Sequence, residues 1–183
     1  MRMRLGLAAA LASLALFSAP PGCANPGTSQ RLERLYAQSL AEPGDARSPT
    51  DMARLEEQRQ SAVQEVLDFH AAGELRSDRD RLIAATLLLD STQLSDLELA
   101  RDLALAVAED GDERGFPLAA EAIDRSLFLQ GLPQRYGTQY TFLPGYGWVL
   151  YRWDERTTDA ERMAMGVPTL GEALERLKVL NAE

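Results

Sequence analysis

The residues best suited to chemistry lie at 131–140, which reads GLPQRYGTQY. Arg135 is the cation of the stretch and can hold a carboxylate or phosphate through two parallel hydrogen bonds. Gln134, Thr138 and Gln139 carry uncharged donors and acceptors that need partners if they are buried. Gly137 suits a positive φ or a close backbone approach. Tyr136 and Tyr140 open an aromatic concentration that continues through Tyr146, Trp148, Tyr151 and Trp153. These residues can line a ring-walled groove for a sugar, peptide or other flat partner. They can equally pin an irregular loop, with Arg135 paired to Asp124 of the preceding helix.

A second group is acidic: Asp154, Glu155, Asp159 and Glu161. Two carboxylates can hydrolyse a glycoside, one as acid and the other as base or nucleophile. Acids also belong to solvated loops and helix starts, and Glu161 stands three residues after Thr158 in the spacing of a capping box. The ordered ligand spacing of an EF-hand is missing. Cys23 is the single cysteine and His70 the single histidine. That excludes a disulfide within the chain, a thiolate cluster and a multi-histidine metal site. No metal and no cofactor are expected. His70 falls near the end of a helical run, where a cation suits the helix dipole.

Arg2 and Arg4, then an apolar run over 5–17, then Pro20, Pro21 and small residues form the three parts of a secretory signal peptide, placed at 1–22. The run is too short to span a membrane. Cys23 after Gly22 is similar to a bacterial lipoprotein site, at which the thiol takes a diacylglycerol; cleavage after Ala24 is the alternative. The lone cysteine favours lipidation, with residues 23–30 as tether and the membrane touched only through that anchor. The net charge is -9, and losing the two leader arginines takes it to -9 - 2 = -11. With its arginines scattered among acids, the chain should repel nucleic acid.

The elements that must hold these groups are mostly helical, in one domain over 31–183. Apolar spacing predicts helices at 29–40 (Leu32, Leu35, Tyr36 and Leu40 inward) and 50–72 (Met52, Leu55, Val63, Val66, Leu67 and His70 inward), with a turn at Pro43-Gly44 between them. Ser77 with Asp80 and Ser95 with Glu98 predict capped starts for helices at 78–89 and 96–108. The first of these holds LIAATLLL and should be buried nearly all round. The second presents Leu99, Leu103, Ala106 and Val107. Pro117 fits the first turn of a fifth helix ending at Gly131, with Ala120, Ile123, Leu127 and Phe128 inward. PGYG within TFLPGYGWVLYRWD predicts a small β-hairpin near 140–151. Thr158 with Glu161 and Thr169 with Glu172 start two more helices, the last over 170–180. The fold class is mainly α, a helical-hairpin bundle with one β-hairpin.

The fourth and fifth helices resemble a tetratricopeptide or Sel1-like pair, though one pair is too few for a solenoid. PQRYGTQY resembles the signature of a bacterial family of uncharacterised proteins marked by PQ[RK]YGTQ. The helix pair with its Asp124-Arg125 step, and TTDAERMAMGVPTL, resemble that family's flanking segments, over about residues 80 to 180. The resemblance implies a shared fold and no particular activity. Family members carry a Gln-His pair where this chain has Leu89-Asp90, which speaks against histidine chemistry common to the family.

Three functions fit. The first is an exported, lipid-anchored binding module that takes an envelope protein, peptide or cell-wall component at Gln134, Arg135, Tyr136, Gly137, Thr138 and Gln139, with Asp124 and Arg125 in support. The second is a carboxylate-dependent cell-wall hydrolase. The third makes QRYGTQ a purely structural latch.

Overall fold

In the computed structural model, residues 26–40 and 48–182 are described. The signal peptide, Cys23 and the Pro43-Gly44 turn lie outside them. Seven helices and one two-stranded antiparallel sheet make up the described fold, as the spacing predicts. The helices are α1 (Pro26–Ser39), α2 (Pro49–Ala71), α3 (Asp78–Leu88), α4 (Leu94–Glu109), α5 (Gly115–Leu129), α6 (Asp159–Ala164) and α7 (Leu170–Leu180). The strands are β1 (Tyr140–Leu143) and β2 (Gly147–Leu150). None of these helices is long and apolar enough to cross a membrane.

The central helix is α3, which touches α1, α2, α4 and α5. Its run LIAATLLL buries Ile83, Ala84, Ala85, Leu87 and Leu88, so apolar side chains cover most of its circumference. Ser77 and Asp80 form the expected capping box. Leu32 and Leu35 of α1 and Val63 and Val66 of α2 close the same core. Leu40, Met52 and His70 stay exposed, so the inward faces of α1 and α2 are narrower than expected. Five residues of the expected tether, Pro26 to Gln30, already belong to α1. Thr28 is buried there and donates its hydroxyl to Glu74, which anchors this first turn.

The start of α4 departs from the capping-box reading. The helix begins at Leu94, and Gln93 makes no side-chain cap. Buried Ser91 accepts from the Gln93 N–H and donates to Asp96 at 2.6 Å, so the turn is settled before Ser95 is reached. The face of α4 is also rotated from the leucine stripe: Leu97, Ala100, Ala104 and Val107 are fully buried, Leu99 and Leu103 only in part. The small residues allow α4 and α5 to close together as a helical hairpin. At Gly115 a Cβ would stand 2.1 Å from the Ala104 carbonyl oxygen.

The β-hairpin pairs Tyr140 with Leu150 and Phe142 with Trp148. A lone hairpin is marginal in water, and α7 supports this one. Asn181 accepts from the Trp148 N–H at 2.7 Å and donates to its carbonyl at 2.8 Å, pairing the free edge of β2 as a third strand would. Tyr140 donates to the Ala173 carbonyl.

Candidate functional site

Asp124, fully buried on α5, organises the 134–139 loop. Its carboxylate accepts from the backbone N–H groups of Arg135 (2.6 Å), Tyr136 (2.9 Å) and Thr138 (3.0 Å) and from the Thr138 hydroxyl (2.9 Å). The Arg135 guanidinium, which the latch reading pairs with Asp124, lies against Glu161 instead. The backbone of a tight turn offers three convergent N–H groups, which satisfy a buried carboxylate without burying a second long side chain.

Gln134 is the second tie, with no exposed surface. Its amide donates to the Tyr151 carbonyl (2.7 Å) and the Gln139 carbonyl (3.1 Å) and accepts from the Gln139 N–H (2.7 Å). Its backbone forms a parallel bridge to Trp153. One side chain thus joins both ends of the loop to the continuation of β2. Gln139 is buried as well and donates to the Thr138 hydroxyl.

Tyr136 packs its ring against Ala120 and Val167. Its N–H goes to Asp124, and its carbonyl accepts from Nη1 of Arg162, a residue the sequence reading had not placed in the site. Arg162, on the short helix α6, is fully buried. Its Nε stands 3.7 Å from Asp159, and neither Nε nor Nη2 has a hydrogen-bond partner among the described residues. Gly137 adopts φ +84°, and a Cβ there would lie 2.6 Å from Arg162 Nη1. A buried anion and a buried cation therefore grip one loop from opposite sides. The Asp-Ala-Glu-Arg run reads as a solvated helix start, and the Gly-Val-Pro that follows it is the one sequence signal of a turn back toward the core.

Of the six motif residues, Arg135 alone projects freely, with its side chain 52% exposed. It sits 3.6 Å from Glu161 and over the Tyr136 ring at 5.2 Å. Gln134, Tyr136, Gly137 and Gln139 are buried, and Thr138 is half-buried. Arg125, next to Asp124, is half-buried; burial pushes up the pKa values of Asp90 and Glu121, and the Arg125 charge offsets part of that rise. Its Nε is buried without a hydrogen-bond partner among the described residues.

The acids after the hairpin are taken up by local work. Asp154 binds Arg156 through paired hydrogen bonds, which with the Arg156 N–H hold its pKa down to about 2. Glu161 closes the Thr158 capping box, and the Thr158 N–H and hydroxyl pull its pKa below the usual range, with Arg135 contributing. Asp159 accepts from the Leu170 N–H, and Glu155 is exposed. Among the described residues, no three His, Cys, Asp or Glu side chains gather as a metal ion would require.

The exposed surface beside the motif is aromatic. Phe142 and Trp148 meet edge to face at 5.7 Å, and Tyr146 at the turn is 83% exposed. A cavity of about 360 Å³ opens between α1, α3 and α5. No sequence motif marks it, because its lining is spread over three helices. The fold and site thus define a helical bundle carrying a latched β-hairpin. Compared with protein-family models, with curated proteins and with solved structures, the chain matches none.

Proposed function

We propose that this is an exported envelope protein, lipid-anchored through Cys23, that acts by binding. Its partner is an envelope protein, peptide or cell-wall component, met by the aromatic hairpin and Arg135. The rest of QRYGTQ is the latch beneath that surface. Membership of the PQ[RK]YGTQ family belongs to the same proposal and rests on the motif. The observation that carries the reading is the division of the motif. Gln134, Tyr136 and Gln139 are buried and hydrogen-bonded, while Arg135, Phe142, Tyr146 and Trp148 face solvent. Exposed rings on the hairpin and an exposed arginine in the loop before it suit a flat or peptide partner, since aromatic residues and arginine dominate binding hot spots. The commitment of Asp154, Asp159 and Glu161 to neighbouring groups favours binding over the hydrolase reading.

The test joins two measurements on the full chain expressed in a bacterium. Mass spectrometry should find a mature N-terminus at Cys23 carrying a diacylglycerol. Envelope fractions passed over wild type should yield a partner that Tyr146→Ala and Arg135→Ala fail to retain while both variants stay folded, melting within about 4 °C of wild type. Retention of the leader, or equal recovery by both variants, would sink the reading.

A further inference from the structure

The cavity between α1, α3 and α5 has the makings of a second site, independent of the hairpin surface. Its volume of about 360 Å³ falls at the low end of small-molecule sites. Leu82 and Ile83 of α3 and Pro117 and Leu118 of α5 supply apolar walls, and the Tyr36 ring of α1 faces the same space. Leu82 and Thr86 are one turn apart on α3, as Pro117 and Glu121 are on α5, so the two helices present matching stripes.

Most of the cavity's polar groups are already committed. Arg79 grips Glu33 through two hydrogen bonds. Arg114 grips Asp112 in the same way. The Thr86 hydroxyl donates to the Leu82 carbonyl. Among the charged side chains lining the cavity, Glu121 alone makes neither a hydrogen bond nor an ion pair with the described residues. It is nevertheless accessible, so an incoming group can reach it. The surrounding protein withdraws water from its carboxylate and pushes its pKa up; Arg125 opposes this, while Asp124 and Asp90 add to it. Arg79, Arg114 and Tyr36 complete the titratable groups around the cavity.

An exposed carboxylate that makes no hydrogen bond or ion pair with the described residues is open to a cation that brings its own hydrogen bonds. A hard metal ion needs six or more oxygen ligands, and Glu121 belongs to no gathered acidic group among the described residues. The four apolar walls ask for a carbon body on the same ligand, and Tyr36 lines the same space. We propose that this cavity binds a small primary ammonium compound with an apolar body, of the size of one or two amino acids, its ammonium on the Glu121 carboxylate. The free amino end of a hydrophobic dipeptide has this chemistry.

Leucinamide is the probe, because it carries the ammonium and the apolar body without a carboxylate; N-acetyl-leucinamide lacks the ammonium. Titrations at pH 7 are followed by calorimetry and by side-chain NMR signals of Leu82 and Leu118. Wild type should bind leucinamide saturably and N-acetyl-leucinamide about tenfold more weakly or not at all. Glu121→Gln keeps the shape and should lose about tenfold in affinity for leucinamide. Leu118→Trp should abolish binding by filling the cavity with Glu121 intact, whereas Glu98→Gln, an exposed acid on α4, should change nothing. Equal affinity for the two probes, undiminished binding by Glu121→Gln or Leu118→Trp, a loss on Glu98→Gln as large as on Glu121→Gln, or no saturable binding to wild type would overturn the proposal.

Discussion

Asp124→Asn separates a loop held by charge from one held by shape. The substitution keeps the volume and one acceptor oxygen, which can still serve the Arg135 and Tyr136 N–H groups now bound to Oδ1. The new amide nitrogen then faces the Thr138 N–H, a donor against a donor, while the Thr138 hydroxyl can rotate and accept. Hydrogen bonds to a charged acceptor contribute about 1.5–3 kcal/mol and neutral ones about 1 kcal/mol, so two weakened bonds cost about 1–3 kcal/mol. The part-buried Thr138 N–H left without a partner adds about 1–3 kcal/mol. Together the loss is about 4 kcal/mol, which for a domain of this size lowers Tm by about 8–16 °C.

Arg135→Ala is the contrast. It removes an exposed pair 3.6 Å long and a cation over a ring, together about 1 kcal/mol and a Tm shift of about 2–4 °C. Thermal unfolding followed by circular dichroism, checked by urea midpoints at unchanged slope, decides the matter. If Asp124→Asn stays close to wild type, or Arg135→Ala falls as far as Asp124→Asn, the carboxylate does not hold the loop as described.

Two further substitutions probe the other grip and the local acids. Gly137→Ala should destabilise by about 2–4 kcal/mol, since its Cβ adds displacement of the buried Arg162 guanidinium to positive-φ strain. Gly145→Ala, at φ +85° with no atom within 4 Å, should show the strain alone; equal losses in urea unfolding would remove Arg162 from the latch. At Asp154, carbon-13 NMR should find a carboxylate midpoint at about 2, rising toward the ordinary value of about 3.9 in Arg156→Ala. A carboxylate with a depressed folded pKa stabilises above its unfolded pKa. That stabilisation fades as pH falls from about 4 through 2. A wild-type midpoint near the ordinary value would refute the pairing.

Much of this fold was readable because its signals are local. The capping boxes at Ser77, Thr158 and Thr169 are complete within four residues and need nothing from elsewhere. The α5 stop at Gly131 and the hairpin at Pro144-Gly145 follow from backbone preferences of the same range. The Ser95–Glu98 spacing is equally local, but Ser91 engages the Gln93 N–H and Asp96 first, and sequence spacing does not rank two competing caps. The inward face of α4 was missed for a different reason. Leucines draw attention as core residues, whereas helices approach most closely where side chains are smallest, at Ala104 and Gly115.

The site was legible in composition and not in direction. The motif residues do meet Asp124, but the contact runs through backbone N–H groups that every sequence possesses, so side-chain identity could not reveal it. Pairing opposite charges was the natural reading of Arg135 and Asp124, and desolvation argues against it. Burying the arginine as well would withdraw a second charge from water, while three fixed N–H dipoles satisfy the acid in place. The buried arginine is instead Arg162, supplied from 26 residues beyond Tyr136 and aimed at a carbonyl. Asp124 takes N–H groups of the loop, and Arg162 takes its Tyr136 carbonyl. This arrangement explains why the loop carries glycine at 137, where a side chain would enter the space the guanidinium needs. It also leaves Arg135, the one cation of the motif, at the surface with only the exposed Glu161 and the Tyr136 ring for company.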